Sequence, residues 1–315
     1  MKKKLVVIAG PTAVGKTKYA IDYAKAHNGE IVSLDSIQVY KHLNIGSAKP
    51  SKEELDEVQH YMIDEVEPNI NLNVKEFKDL ANKYINIIYE KGKLPILVGG
   101  TGFYIKAVLY DTDFLFEDDL EVEQLRAELY ERLKKEGIDS LYSELKKVDP
   151  DSIEKIPKEN ERRVIRALEF YKLHNMPISK HNREENEKES KYDYDFYVLN
   201  MDREVLYDRI NKRVDMMIEN GLLKEVKSLI DMGLDDSYNS MKSIGYKELY
   251  NFCKCRKKIE SINDLDKESK EELKMLIDLI KQHSRNYAKR QLTWFRYMSG
   301  INIVTPENDI MEFII

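Results

Sequence analysis

The feature that most constrains the fold is a glycine-rich segment near the start of the chain. Residues 7–20 read "VIAGPTAVGKTKYA", and within them residues 10–17 satisfy the pattern Gly-x-x-x-x-Gly-Lys-Thr. The β-branched apolar run "KLVVIAG" leads into this segment, and "KTKYAIDYAKAH" after it has the spacing of a helix. A strand, a glycine loop and a helix in this order indicate a phosphate loop. Its members are Gly10, Pro11, Thr12, Ala13, Val14, Gly15, Lys16 and Thr17.

The residue types in this segment suit the binding of a phosphate. Gly10 and Gly15 allow successive backbone N–H groups to turn inward around an anion, and the positive end of the following helix adds to the attraction. Lys16 supplies a point charge, and the Thr17 hydroxyl can coordinate Mg²⁺. The plainer alternative is a glycine turn with a structural role only.

Strand and helix patterns alternate through the first part of the chain. "EIVSLDS" and "KLPILVGGTG" read as buried strands, and "VKEFKDLANKYINIIYEKG" between them reads as an amphipathic helix. "SKEELDEV" predicts a short helix that opens with a capping box of Ser51 and Glu54.

Helical segments take over from about Phe114, and a strand returns with "YDFYVLN". Helical segments are then expected over 204–232, 240–252 and 267–297, and "INIVT" reads as a last strand. We therefore predict an α/β fold, a P-loop NTPase-like parallel sheet core with a helical insertion domain. The expected boundaries are 1–114 for the first part of the core, 115–192 for the insertion and 193–315 for the mostly helical second part of the core.

Composition and charge exclude several classes of protein. Hydrophobic residues make up 42% and charged residues 34%, which is typical of a globular chain, and the net charge of −6 argues against indiscriminate nucleic-acid binding while leaving room for a local basic face. The chain has no run of about eighteen apolar residues, so no transmembrane helix is expected. Cys253 and Cys255 are too close in sequence for an ordinary disulfide. We expect a cytoplasmic monomer with no membrane association.

Two polar residues follow predicted strands at the edge where α/β folds bind their ligands. Asp35 ends "EIVSLD", and Thr101 follows the glycines of "LVGGT". The alternative for Asp35 and Ser36 is a turn cap, and the glycines can be turn chemistry alone. A regulatory GTPase is excluded because Asp-x-x-Gly is missing and neither "NKYI" nor "NKRV" reads guanine. A small-molecule or nucleotide kinase stays open at this point.

Eight segments together resemble one enzyme family, the bacterial type of tRNA dimethylallyltransferases, also called tRNA isopentenyltransferases. They are "GPTAVGKT" (10–17), "DSIQVY" (35–40), "IGSAKP" (45–50), "LVGGTGFY" (97–104), "RRVIRALE" (162–169), "LYDRINKRVDMMIENGLLKEV" (206–226), "SIGYKE" (243–248) and "AKRQLTWFR" (288–296). The resemblance extends over roughly residues 5–300 and is more specific than the phosphate loop alone. One departure is at position 47, where the family pattern has Thr and this chain has Ser47, a substitution that keeps the hydroxyl. The zinc finger of some eukaryotic relatives is missing.

The resemblance implies a reaction. The phosphate loop would bind the pyrophosphate of dimethylallyl diphosphate instead of ATP, and the dimethylallyl group would pass to N6 of adenosine 37 in the tRNA anticodon loop, giving diphosphate. An adenine exocyclic amine is a weak nucleophile, so a carboxylate that accepts its proton assists the attack, and we expect Asp35 in this role. Lys16, the loop amides and Mg²⁺ partly bound by Thr17 would stabilise the departing diphosphate.

The resemblance also implies roles for further residues. Thr101 and Arg209 join Asp35 as catalytic candidates, Arg209 by reaching the pyrophosphate from the opposite side, although an ordinary helix-surface ion pair with Asp208 is its alternative. The insertion would clamp the anticodon stem-loop; its alternative is a solvated appendage without a role. The expected tRNA-binding residues are Asp35, Ser36, Ile37, Gln38, Thr101, Gln124, Arg162, Arg163, Arg166, Lys289 and Arg290.

Two other functions compete with prenyl transfer. A P-loop kinase would bind ATP saturably and transfer a phosphoryl group, and a noncatalytic RNA-binding protein would keep its function without the Asp35 carboxylate. Aromatic residues also have two interpretations, because Tyr287, Trp294 and Phe295 lie between cations and could stack on bases. For Trp294 and Phe295 we favour the plainer prediction that they form the core face of the long last helix.

Overall fold

The computed structural model describes residues 2–115, 119–256, 265–298 and 302–304. Its strands all belong to one sheet. In chain order they are β1 (Lys3–Ala9), β2 (Gly29–Ser33), β3 (His60–Tyr61), β4 (Leu94–Gly99), β5 (Tyr192–Leu199) and β6 (Asn302–Val304).

The sheet is parallel throughout the described residues, with the strand order β3-β2-β4-β1-β5-β6. Leu5 to Ala9 on β1 are fully buried, as expected for an interior strand of a parallel sheet whose faces are both covered by helices. The predicted parallel α/β sheet is confirmed, and so is a last strand near residue 302. The carboxyl ends of β1, β2 and β4 lie side by side at one edge.

Helices follow most of the strands. They are α1 (Lys16–Ala26), α2 (Lys52–Glu57), α3 (Val74–Glu90), α4 (Gly102–Leu109), α5 (Asp119–Glu136), α6 (Ile138–Val148), α7 (Pro150–Ile153), α8 (Glu161–His174), α9 (Ile178–Glu187), α10 (Arg203–Glu219), α11 (Leu222–Asp231), α12 (Tyr246–Lys254) and α13 (Lys267–Arg296). The capping box predicted from Ser51 and Glu54 is present at α2, and α3 has a second one.

Three boundaries differ from the sequence prediction. Strand β2 ends at Ser33 instead of Asp35, because the chain turns there and the Asp35 side chain caps the turn. The single helical segment expected over 204–232 is two helices, since Gly221 has a φ of 99° that interrupts the helical conformation. Helix α12 begins at Tyr246 instead of near Ser240.

The chain divides into two compact units. One is formed by the described residues of Met1–Leu109 and Lys191–Ile315, and the other is Tyr110–Ser190. The second unit consists of α5 to α9 around a core that includes Leu129, Leu141 and Leu168. No helix in the described part of the chain is long and apolar enough to cross a membrane.

Candidate active site

The phosphate loop occupies the turn between β1 and α1. Gly10 has a φ of 150°, and a Cβ there would lie 2.6 Å from the carbonyl oxygen of Leu199 at the end of β5, so only glycine fits. Gly15, with a φ of 102°, precedes the first residue of α1. The loop therefore leads directly into the positive, N-terminal end of a helix, an arrangement that suits an anion.

Lys16 lies inside this loop. Its Nζ donates hydrogen bonds to the carbonyl oxygens of Pro11 (2.9 Å) and Gly10 (3.1 Å). Burial lowers the pKa of the Lys16 ammonium to about 8, the neighbouring Arg213 guanidinium acts in the same direction, and Asp35 opposes both. The lysine is thus held close to a second cation and a carboxylate, and a bound diphosphate would favour its charged form.

Asp35 combines the two roles that its sequence position left open. Its Oδ1 accepts hydrogen bonds from the N–H groups of Ile37 (2.9 Å) and Gln38 (3.3 Å), so it does cap the turn after β2. The same residue lines the cavity at the carboxyl edge of the sheet. Capping through one oxygen fixes the orientation of the carboxylate toward that cavity.

Helix α10 brings two arginines to the site. The Nη2 of Arg209 lies 3.8 Å from the point that a Cβ on Gly15 would occupy, so this side chain reaches the phosphate loop. The neighbouring Asp208 pairs with Lys212 at 2.7 Å. Arg213, which sequence reasoning did not single out, lines the cavity. The pKa of the Arg213 guanidinium is lowered, chiefly by burial. The Asp35 carboxylate opposes this shift, and the Arg209 guanidinium adds to it.

The spacing of these arginines was the available signal for Arg213. Residues 209 and 213 are four apart on one helix, so they share a face. An arginine that is already placed at the site therefore indicates that the other is also there.

A cavity of about 310 Å³ adjoins these groups. Its polar lining residues include Asp35, Arg213 and the phosphate-loop residue Thr12. Its apolar wall is formed by Ile210, Val214 and Met217 of α10, Ile280 of α13 and Ile244. A pocket with this mixed lining suits a ligand that has a charged head and a short hydrocarbon group.

Thr101 contacts the last long helix. Its Oγ1 lies 3.2 Å from the hydroxyl oxygen of Tyr287, a residue of α13 that also lines the cavity. Burial raises the pKa of the Tyr287 phenol, the nearby Asp35 raises it further, and the contact with Thr101 opposes them. Tyr287 therefore stays a neutral hydroxyl at the site.

The segment "IGSAKP" forms a turn beside the cavity, and Glu225 holds it. The carboxylate of Glu225 on α11 accepts hydrogen bonds from the N–H groups of Asn44 and Ile45 at 2.8 Å and of Gly46 at 3.0 Å, and from the Tyr246 hydroxyl at 2.6 Å. Burial and this carboxylate raise the pKa of Tyr246. Sequence reasoning missed Glu225, because the backbone groups of the turn that it binds are about 180 residues away along the chain.

The other residues predicted after Asp35 belong to the same region. Ser36 and Ile37 line the cavity. The side chain of Gln38 instead braces the turn: its Nε2 donates to the carbonyl oxygens of Ala48 (3.2 Å) and Ser47 (3.3 Å), and its Oε1 accepts from Ser33 Oγ at 3.1 Å.

Lys289 and Arg290 do not share a location, although they are neighbours in sequence. Arg290 lines the cavity, with its guanidinium 5.8 Å from the ring centre of Tyr287. Lys289 instead lines a second hollow of about 390 Å³ with Arg203 and Arg296. Successive helical residues point about 100° apart, so a single predicted basic segment divides between two surfaces.

Of Trp294 and Phe295, which were predicted to form the core face of α13, Phe295 is fully buried and Trp294 only partly. Phe295 is 1% exposed and packs edge to face on Phe196 of β5, which confirms it as a core residue. Trp294 is partly buried beside Gly102, where a Cβ would lie 1.9 Å from the indole ring.

Within the Tyr110–Ser190 unit, the predicted tRNA-binding residues lie on two helices. Gln124 is exposed on α5, and Arg162 and Arg163 are exposed on α8. Arg166, also exposed, forms an ion pair with Glu169, a fully buried carboxylate that also accepts hydrogen bonds from Arg126. Arg166 therefore has a structural role within this unit, as a partner of a buried carboxylate.

A magnesium ion fits the oxygen donors of the phosphate loop. Thr17 lies in the first turn of α1, and Asp35 faces the same cavity as Thr12. Across residues 2–115, 119–256, 265–298 and 302–304, no group of three or more His, Cys, Asp or Glu residues is placed to hold a metal ion. Mg²⁺ often takes only one or two protein oxygens and completes its shell with substrate phosphates and water, which suits this donor set.

Comparison with known proteins agrees with this geometry. The sequence profile of the family described as IPP transferase matches residues 38–298. Among curated relatives, a tRNA dimethylallyltransferase of Lachnoclostridium phytofermentans is 49% identical over 93% of this chain and 88% of its own length. One from Acetivibrio thermocellus is 44% identical over 94% of this chain and 90% of its own length.

Solved structures lead to the same family. A tRNA isopentenylpyrophosphate transferase from Bacillus halodurans has a TM-score of 0.68 and 41% identity, covering 99% of this chain and 95% of that one. A eukaryotic dimethylallyltransferase acting on tRNA has a TM-score of 0.77 and 29% identity, covering 96% of this chain and 74% of that one.

Proposed function

We propose, because this chain belongs to the tRNA dimethylallyltransferase family, that it transfers the dimethylallyl group of dimethylallyl diphosphate to N6 of adenosine 37 in tRNA and releases diphosphate. The observation that carries the proposal is the composition of one cavity. Its lining combines Asp35, whose carboxylate is fixed by a turn, with the phosphate-loop residue Thr12, Arg213 and the apolar wall, and Lys16 lies in the adjoining loop. The tRNA substrate makes the cytoplasm the proposed place of action, and the chain is proposed to act as a monomer.

The reaction breaks the bond between C1 of the dimethylallyl group and the diphosphate oxygen, and the bonding electron pair leaves with diphosphate. Lys16, Arg209 and Arg213 supply positive charge where this anion develops, which is the usual dominant contribution to such catalysis. The dimethylallyl group packs against Ile210, Val214 and Met217. This wall excludes water from the carbon that is attacked.

The N6 lone pair of adenosine forms the new nitrogen–carbon bond. Asp35 accepts the N6 proton, and its Oδ1 contacts with Ile37 and Gln38 hold the carboxylate in place for that transfer. Thr101 and the neutral Tyr287 hydroxyl provide polar contacts beside the adenine base. Mg²⁺ bound with Thr17 would neutralise part of the diphosphate charge.

The first prediction concerns pH. Because Lys16 has a pKa of about 8, we expect kcat/KM for dimethylallyl diphosphate at saturating tRNA to fall as the pH rises above about 8, up to tenfold per pH unit. The sign follows from loss of the ammonium charge by deprotonation. Lys16→Arg keeps its charge in this range and should lack this decline. A profile for the unsubstituted protein that is flat from about pH 7 to about pH 9.5 would contradict the assignment.

The second prediction concerns tRNA affinity. Replacing Arg162 and Arg163 together with Ala should weaken tRNA binding and reduce the slope of log affinity against log salt by about one for each phosphate that is no longer neutralised. Lys52→Ala with Lys83→Ala is the matched control, because both lysines are exposed on core helices and the charge change is the same. An unchanged slope in the arginine variant would remove this part of α8 from the tRNA interface.

A labelled-substrate experiment tests the proposed function itself. The purified protein is incubated with Mg²⁺, unmodified tRNA and either dimethylallyl diphosphate labelled in the prenyl group or ATP labelled in the γ-phosphate. Prenyl label in the tRNA and no transfer of γ-phosphate supports the proposal. Phosphoryl transfer from ATP without prenyl transfer would support the kinase interpretation of the phosphate loop instead.

A further inference from the structure

Gln291 connects two of the turns that form the candidate active site. It lies on α13 and is 6% exposed. Its Oε1 accepts a hydrogen bond from the Thr12 N–H at 2.9 Å, and its Nε2 donates one to the Gly100 carbonyl oxygen at 3.0 Å. The partners determine this orientation, because exchanging the amide O and N would set N–H against N–H and oxygen against oxygen.

The Gln291 side chain occupies the space where a side chain on Gly100 would lie. A Cβ on Gly100 would lie 2.1 Å from Gln291 Nε2 and 3.3 Å from the Gly10 carbonyl oxygen. The phosphate loop and the turn of residues 99–101 therefore meet across a single carboxamide. The bond to Gly100 is buried and the bond from Thr12 is partly buried, so losing either one leaves a poorly solvated backbone group without its partner.

The same helix carries other groups of the site. Tyr287 is one helical turn before Gln291 and contacts Thr101, and Arg290 and Ile280 line the cavity. The bonds of Gln291 thus fix α13 against the phosphate loop and against the turn that ends in Thr101. A movement of the Gln291 side chain would shift the diphosphate-binding groups relative to the groups that face the adenine base.

We infer that Gln291 is a positioning residue for prenyl transfer, which keeps the phosphate loop and the Thr101 turn in the register that brings the diphosphate substrate and the acceptor amine together. The inference rests on the proposed function. Gln291 exchanges no atoms with the substrates; it acts through the two backbone groups that it joins and through the Tyr287 hydroxyl, which its side chain also contacts. A displacement of about 1 Å between reacting groups can cost about a hundredfold in rate.

Gln291→Met tests the inference with a side chain of similar length that lacks both hydrogen bonds. We expect kcat for prenyl transfer to fall by about 10- to 100-fold, and the affinity for inorganic diphosphate to fall by about tenfold, because the loop is no longer preorganised. Gln282→Met is the matched control, since Gln282 is exposed on the same helix. Thermal melting and tRNA affinity of both variants are measured alongside.

Gln291→Glu provides a pH-dependent readout that would be absent if the Gln291 side chain only filled space. A protonated glutamic acid presents the same pair as the amide, a hydroxyl that donates to the Gly100 oxygen and a carbonyl that accepts from Thr12 N–H. Its ionised form offers oxygens to both partners and repels the Gly100 oxygen. We expect the ratio of kcat for this variant to kcat for the unsubstituted protein to rise as the pH falls, and at low pH to exceed the ratio for Gln291→Met.

The outcomes separate this inference from the proposed function. If both Gln291 variants keep kcat and diphosphate affinity within about twofold of the unsubstituted protein, or if Gln291→Glu at low pH is no better than Gln291→Met, the positioning role is overturned. If the unsubstituted protein binds inorganic diphosphate but transfers no prenyl group, the proposed function fails. The diphosphate affinities of the variants then still decide whether Gln291 organises the loop.

Discussion

Replacing Asp35 with asparagine should lower kcat for prenyl transfer by about 10²- to 10⁴-fold, the usual contribution of a general base. An amide oxygen can still accept the hydrogen bonds from the Ile37 and Gln38 N–H groups, so the turn after β2 should persist. The amide cannot accept the N6 proton at neutral pH. The expected result is therefore a folded protein that binds tRNA and turns over slowly.

Two comparisons make this result specific to the base role. Asp35→Ala removes the turn cap as well as the base, so any additional loss in that variant measures the cap. Asp79→Asn is the matched control, because Asp79 is exposed on α3. Single-turnover kinetics with both substrates saturating measure the chemical step. Turnover of Asp35→Asn within a few-fold of the unsubstituted protein would remove Asp35 from the base role.

Replacing Lys16 with methionine should reduce kcat/KM for dimethylallyl diphosphate by about 10²- to 10³-fold. Two effects combine, because the diphosphate loses a cation in the bound substrate and again as its charge grows during bond breakage. The affinity for tRNA should change little. Steady-state kinetics at saturating tRNA, with inorganic diphosphate binding measured separately, distinguish the contribution to binding from the contribution to the reaction.

The neighbouring lysine provides the control for this variant. Lys18 is exposed on α1, two residues beyond Lys16, and Lys18→Met makes the same chemical change outside the loop. Lys16 also donates to the carbonyl oxygens of Gly10 and Pro11, so Lys16→Arg is included to keep the charge while altering the loop contacts. Unchanged kinetics in Lys16→Met would contradict the assignment of the phosphate loop to the diphosphate.

Local patterns in the sequence predicted much of the fold. The glycine spacing of the phosphate loop, the capping box at Ser51 and the apolar period of α3 each act over a few residues, so each can be read from a short segment. Strand order cannot be read in this way, because it depends on which distant segments pair. The two-residue strand β3 at the sheet edge was missed because it is too short to produce an alternating pattern.

The same distinction between local and long-range signals applies to the residues of the site. Asp35, Thr101 and the phosphate loop were predicted because each follows a strand at the ligand-binding edge. Gln291 binds backbone groups 279 and 191 residues away, and Glu225 binds backbone groups about 180 residues away, so neither has a local signature. Arg213 could have been predicted from its four-residue spacing from Arg209, because residues four apart share a helix face. Polar side chains that hold one backbone turn against another are thus the part of the site that only the tertiary structure reveals.

The most direct test of the central claim is to identify the modified nucleoside and its position. The protein is incubated with Mg²⁺, dimethylallyl diphosphate and an unmodified tRNA that a known family member modifies in a parallel reaction, and the digested tRNA is analysed by mass spectrometry. The account predicts N6-dimethylallyladenosine at position 37 and release of diphosphate. An unmodified adenosine 37 in the reaction with this protein, while the parallel reaction gives product, would contradict it.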